Sequence, residues 1–317
     1  MRIAVASGKG GTGKTTIATS LALSLAEQHQ HERSGSGPVL YLDCDVEAPN
    51  AHLFLHPVFE ERRQVGTLIP QIDEARCTHC GLCAQVCQYH AVAVLGSKTL
   101  VFPQLCHGCG SCTLMCPEGA ITEILEVNGV LERGATPSGI GFARGVLDIG
   151  EPMAVPIIRQ LKRWAKPELG QIVIVDASPG TTCPVVEAVR DADFLLLVTE
   201  PTPFGLHDLK LAVQMTRELH IPFGVVINRD QNGSSLGYKY RAVDDFCAQE
   251  DLLILLRIPF ERQIAEGIAR GQNLVEIRPE MIAQFQRLLD QIVSSIKLGD
   301  YPLKDNESGR FAHPMNR

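Results

Sequence analysis

Residues Ser7 to Thr16, read Ser-Gly-Lys-Gly-Gly-Thr-Gly-Lys-Thr-Thr, place the spacing Gly, four residues, Gly-Lys-Thr between an apolar segment, Arg2 to Ala6, and a helical pattern, Lys14 to Gln28. Strand, phosphate loop and helix in that order commit the chain to βαβ construction. Glycines at 8, 10, 11 and 13 let successive backbone N–H groups turn inward around phosphate oxygens, and the helix that follows adds its N-terminal partial positive charge. Lys14 is expected to reach the β- and γ-phosphates and the Thr15 hydroxyl to ligate Mg²⁺, so the nucleotide cradle reads as Gly8, Gly10, Gly11, Thr12, Gly13, Lys14, Thr15 and Thr16.

Downstream, β-branched runs alternate with helical patterns. Strands are expected at Arg2 to Ala6, Val39 to Asp43, Ile172 to Asp176, Phe194 to Thr199, Gly224 to Asn228 and Leu253 to Ile258. Helices are expected at Lys14 to Gln28, Met153 to Ala165, Pro184 to Arg190, Leu206 to Leu219, Ala242 to Gln249 and Pro279 to Ile296. Blocks such as Ile172-Val173-Ile174-Val175 are apolar at consecutive positions, as strands covered on both faces are. The fold class is therefore α/β, a doubly wound and mostly parallel sheet.

Two stretches break the rhythm. His31 to Gly37 is polar and reads as an exposed loop. The segment 66–126 contains a repeat: Cys77, Cys80, Cys83, Cys87 and Cys106, Cys109, Cys112, Cys116 have the same spacings, and each run precedes an apolar segment. The expected domains are 1–65, the first part of a nucleotide-binding domain; 66–126, an insertion; 127–300, the second part; and 301–317, a polar tail expected to be disordered. Val127 to Gly150 reads as irregular strands returning the chain to the sheet.

The cysteine runs closely resemble the bacterial two-cluster ferredoxin pattern, with Gln88 where proline usually follows the fourth cysteine. That resemblance implies two 4Fe–4S clusters, one on Cys77, Cys80, Cys83 and Cys116 and the other on Cys106, Cys109, Cys112 and Cys87. Zinc is the competing ligand, but four-cysteine zinc sites separate two pairs by a longer spacer. His79 and His107 lie inside the ligand loops and read as surface histidines. Cys183 reads as a buried thiol near a helix start, with a thiolate bridging role as the alternative; Cys44 and Cys247 read as core residues.

Lys9 in Gly8-Lys9-Gly10-Gly11-Thr12-Gly13-Lys14-Thr15 resembles the signature lysine of the deviant Walker A ATPases, the superfamily of MinD, ParA, the nitrogenase iron protein and the Mrp-type carriers, here the subgroup with an inserted ferredoxin domain. The resemblance implies a homodimer with ATP at its interface, Lys9 contacting nucleotide across it. It further implies that Asp45 positions the attacking water, that Asp176 holds Mg²⁺ through water, that Gly180 offers a backbone N–H to the γ-phosphate, and that Asn228 reads adenine. Lys9, Lys14 and Asp45 are the expected catalytic residues. ATP-gated electron transfer to an unidentified redox or metal-cofactor partner is the leading expectation. Metal-centre carriage in cofactor assembly is the rival, and spatial organisation with redox-sensing clusters the third reading.

A formal net charge of −7 offers no general attraction to nucleic acid or anionic lipid. The opening residues leave no room for a signal peptide and no apolar run is long enough to span a bilayer, so a cytoplasmic protein with no nucleic-acid or membrane partner is expected. Eight of 11 cysteines crowding between Cys77 and Cys116 in that compartment point to ligation rather than cross-linking.

Overall fold

The structure, a computed structural model, describes residues 1–28, 38–230 and 241–298. The loop at His31 to Gly37 and the tail after Asp300 lie outside the described residues. The strands are β1 Arg2–Ala6, β2 Val39–Asp43, β3 Val58–Ile72, β4 Val92–Leu95, β5 Lys98–Val101, β6 Ile121–Ala135, β7 Gly141–Leu147, β8 Ile172–Asp176, β9 Phe194–Thr199, β10 Phe223–Asp230 and β11 Ile254–Pro259. The helices are α1 Lys14–Gln28, α2 His52–Leu55, α3 Leu82–Val86, α4 Ser111–Leu114, α5 Val155–Trp164, α6 Cys183–Val189, α7 Pro203–Glu218, α8 Ala242–Gln249, α9 Arg262–Ala269, α10 Leu274–Ile277 and α11 Met281–Leu298.

Nine strands form one sheet in the order β11-β10-β9-β1-β8-β2-β7-β6-β3. From β11 to β7 every pair is parallel; β7-β6 and β6-β3 are antiparallel. Alternation along each central strand feeds two cores. Ala4, Leu42, Val175, Leu197 and Val225 pack on the α5 to α8 side, while Ile3, Tyr41, Ile174, Leu196 and Val226 pack on the α1 and α11 side. Both faces are thus dry, which is why these strands read as unbroken apolar blocks. The carboxyl ends of β1, β2, β8 and β10 share one edge of the sheet, where doubly wound folds bind ligands.

The expected return of the chain to the sheet over Val127 to Gly150 is made by β6 and β7, an antiparallel pair in which β6 is bulged at Asn128. β3 and β6 pair from Val58↔Ala135 to Ile72↔Ile121, forming a two-stranded ribbon longer than any other pair in the sheet. Its near half, with β7, completes the host sheet; its far half continues past β7 to α3, the β4-β5 hairpin and α4. The register shifts between Val65 and Gly66, a bulge whose Gly66 carbonyl accepts from Gln160 Nε2 of α5 at 2.8 Å. Strands β3 and β6 therefore run unbroken through the expected 65/66 and 126/127 boundaries.

Candidate functional site

The phosphate loop leaves β1 at Ala6 and enters α1 at Lys14. Gly11 and Gly13 have φ of 79° and 93°, a region that L side chains disfavour. A Cβ on Gly8 would run into the Asp208 backbone of α7, and one on Gly13 into the Asn228 amide. Ser7 Oγ donates to the Lys9 carbonyl at 2.7 Å, and Gly180 N donates to the Ser7 carbonyl at 2.8 Å. Gly180 thus reaches the loop, with its N–H spent on the loop's backbone rather than held open. Asn228 also reaches it: Nδ2 donates to the Thr12 carbonyl at 2.7 Å, and Oδ1 accepts from Arg229 N at 2.9 Å. Both edges of the amide expected to read adenine are engaged, Nδ2 in bracing the loop and Oδ1 on the backbone of the next residue.

Lys14, Thr12 and Thr16 are buried. Facing them at the end of β8, Asp176 is fully buried; Tyr41 donates its hydroxyl to Asp176 Oδ2 at 3.1 Å, while Oδ1 has no hydrogen-bond partner. Burial pushes the Asp176 carboxyl up, and Lys14 and the Thr15 hydroxyl pull it back. Burial likewise raises the Asp45 carboxyl to about 6, with Lys14 opposing and Asp176 reinforcing. Lys14, Thr15, Asp45 and Asp176 therefore form one electrostatic group. A buried carboxylate and a half-buried one beside a single lysine constitute a pocket short of cations, suited to a metal-bound polyphosphate. Lys9 lies apart from them, ion-paired to Glu200.

Asp43 takes no ligand-facing role: its oxygens accept from Asp45 N at 3.2 Å and Ala51 N at 3.1 Å, tying down the loop that presents Asp45. The next residue, Val46, is buried, and its carbonyl accepts from Leu147 N of β7 at 2.8 Å. The loop carrying Asp45 is thereby bonded to the strand beside the ribbon.

At the ribbon's far end the eight cysteines ring two cavities. Cys77, Cys80, Cys83 and Cys116 line one, with His79 and Pro117. Cys87, Cys106, Cys109 and Cys112 line the other, with Tyr89 and His107. Ala91 N and Ala120 N donate to Cys87 Sγ and Cys116 Sγ, each at 3.3 Å. Among the described residues, no three His, Cys, Asp or Glu side chains converge on a single metal ion. Burial raises the thiols of Cys83, Cys106 and Cys112, whereas the Ser111 side chain and backbone lower that of Cys109.

A family model described as the CobQ/CobB/MinD/ParA nucleotide binding domain matches residues 3–275. The chain belongs to this family. An uncharacterized protein of Methanocaldococcus jannaschii is 29% identical over 284 residues, 87% of this chain and 92% of the relative. The iron–sulfur cluster carrier protein of the same organism is 25% identical over 137 residues, 39% of this chain and 47% of its own. Among solved structures, the cell division ATPase MinD of Pyrococcus furiosus superposes with a TM-score of 0.53 at 20% identity, over 92% of this chain and 98% of that one, a likeness of fold.

Within this MinD/ParA-type domain several residues near the site escaped sequence reasoning. Tyr41 and Glu200 sit in ordinary strand and strand-end contexts, and only tertiary proximity brings them to Asp176 and Lys9. His79, expected on the surface, is half-buried with Nδ1 3.2 Å from Thr99 Oγ1 and 3.6 Å from Cys77 Sγ. His107 stacks on Tyr89 with ring centroids 3.7 Å apart. Cys183, expected to be buried, is exposed at the start of α6, because the apolar face of that helix is supplied by Val185, Ala188 and Val189. Cys44 and Cys247 are buried, as expected of core thiols. No helix among the described residues is long and apolar enough to cross a membrane.

Proposed function

We propose that this chain is a Mg²⁺-dependent ATPase that carries two 4Fe–4S clusters and couples nucleotide-driven rearrangement of a homodimer to electron transfer with a partner protein. The observation that carries this reading is the division of the eight thiols, four and four, around two separate cavities. Soft thiolates spread around a void suit an iron–sulfur cubane, whereas a single zinc ion needs four donors converging at roughly 2.3 Å. When bound, such a cluster accepts or gives up one electron at a potential set by the hydrogen bonds and exposure around it.

At the nucleotide site, water attacks the γ-phosphorus of ATP, the bond from that phosphorus to the β,γ-bridging oxygen breaks, and ADP and phosphate leave. Asp45 accepts the water's proton; Lys14 and the loop N–H groups offset charge on the phosphate oxygens; Thr15 and Asp176 would hold Mg²⁺. Lys9 would act across the dimer. Because Asp45 precedes Val46, and Val46 is bonded to Leu147 beside the ribbon, displacement of this loop by a γ-phosphate pulls on the root of the cysteine-bearing segment.

Anaerobically reconstituted protein should carry about eight irons per chain. Cys116→Ala should lower that to about half, and Lys9→Ala should abolish ATP-dependent dimerisation and hydrolysis with iron content intact. Material that holds only zinc would sink the reading. A second reading, delivery of a metal centre during cofactor assembly, is favoured by the exposure of Cys183 and by the partial likeness to a cluster carrier. It requires iron to move to an apo-acceptor and Cys183→Ser to stop the transfer.

A further inference from the structure

The geometry points to Tyr41 as a positioning residue that fixes Asp176 for Mg²⁺, an inference that rests on the reading of Asp176 as the metal-side carboxylate. Tyr41 is fully buried on β2, the strand beside β8, and its register partner there is Ile174, two residues before Asp176. Its hydroxyl donates to Asp176 Oδ2 at 3.1 Å. The ring is held by Phe142 of β7, stacked with centroids 5.7 Å apart and planes 3° from parallel, and Phe59 of β3 packs edge-on against Phe142 at 6.0 Å.

One oxygen of the carboxylate is thus occupied by a phenol that cannot swing away. The other, Oδ1, is buried with no hydrogen-bond partner, which is costly for an acceptor unless something else fills that direction. A carboxylate tethered through one oxygen and bare at the other is oriented in advance for a cation or its water. Leucine or valine in place of Tyr41 would satisfy the same apolar core, so packing alone does not call for a hydroxyl at this depth.

The test is Tyr41→Phe, which keeps the ring and its stack on Phe142 and removes only the donor. Binding of a fluorescent ADP analogue is followed in EDTA and as Mg²⁺ is titrated, with Asp176→Asn alongside. The expected result is a Mg²⁺ requirement about tenfold higher in Tyr41→Phe, the scale seen when the partner of a metal ligand is removed. Affinity in EDTA should match that of the unsubstituted protein. An unchanged Mg²⁺ requirement in Tyr41→Phe beside a raised one in Asp176→Asn overturns the role of Tyr41. If Asp176→Asn leaves the requirement unchanged, the reading of Asp176 itself fails, and with it the premise for Tyr41. Equal weakening in EDTA and in Mg²⁺ would mark Tyr41 as a packing residue and also overturn the inference.

Discussion

Lys9 turns back onto Glu200 of its own chain, and Arg229 binds the other oxygen of that carboxylate at 2.9 Å. Burial by itself would raise the Glu200 carboxyl, but the two cations hold it below the usual carboxylate range. In this arrangement Lys9 is occupied within its own subunit, so a trans contact to nucleotide requires that Glu200 release it. Glu200→Gln should cost about 1 kcal/mol of stability, since the pair is only partly shielded from water. It should also lower the ATP concentration needed for dimerisation by about threefold, a change of roughly 0.7 kcal/mol. Sedimentation velocity across an ATP series reads the second effect, and weaker dimerisation would contradict the proposed exchange.

The Asp45 carboxyl, raised to about 6, makes both rate and stability depend on pH. A base must be ionised to accept the water's proton, so ATP turnover should fall as pH drops through about 6. Stability runs the other way. A carboxyl raised on folding contributes fully below its ordinary value near 4, and that contribution is lost as pH rises toward 6. Asp45→Asn should therefore stabilise the nucleotide-free protein by about 1–2 kcal/mol at pH 7.5, discounting for partial solvent access, and by nearly nothing at pH 4. Denaturant midpoints at the two pH values check this; equal shifts at both would exclude the raised carboxyl as the cause.

Asn228 offers a test of a strut against a base reader. Asn228→Ala removes the donor to the Thr12 carbonyl and should weaken nucleotide binding by about fivefold, the loss of roughly 1 kcal/mol expected for one hydrogen bond. As a strut, the loss should be equal for ADP and GDP analogues. A loss confined to ADP would restore the base-reading role implied by family resemblance.

Gly66 lies at the bulge where the ribbon leaves the sheet, and a Cβ there would overlap the Glu126 carbonyl oxygen. Gly66→Ala should cost about 2–3 kcal/mol through displacement of the paired strand. Hydrogen exchange should rise selectively at Gly66–Ile72 and Ile121–Val127 while ADP affinity holds. If protection is lost throughout the sheet instead, the ribbon is not separable from its host.

Residue order alone made the host sheet readable because its strands are buried on both faces. Val39–Asp43, Ile172–Asp176 and Phe194–Thr199 announce themselves as apolar runs and end where the structure ends them. The loop from Ser7 to Thr16 was legible for another reason: its glycine spacing has few alternative uses. The root of the ribbon was opaque. Glu60-Glu61-Arg62-Arg63-Gln64 has both faces in water, so no period of two survives, and its strand character comes from pairing with residues about 70 positions away. α9 and α10 were also missed, since each is short; α9 packs on α10, and α10 packs against α1 and α11 behind a capping box of Asn273 and Glu276. Distances between Tyr41 and Asp176, or Lys9 and Glu200, exist only once the chain has folded.

The two ends of the cysteine-bearing segment are neighbours in one ladder, Gly66 opposite Val127 and Val65 opposite Gly129. Entry and exit therefore coincide, and removing everything between them would leave a hairpin that one tight turn could close. The host topology is indifferent to what hangs from that hairpin. Loss or exchange of the segment between the two ends would leave the strand order of the sheet unchanged, and with it the edge from which the phosphate loop emerges.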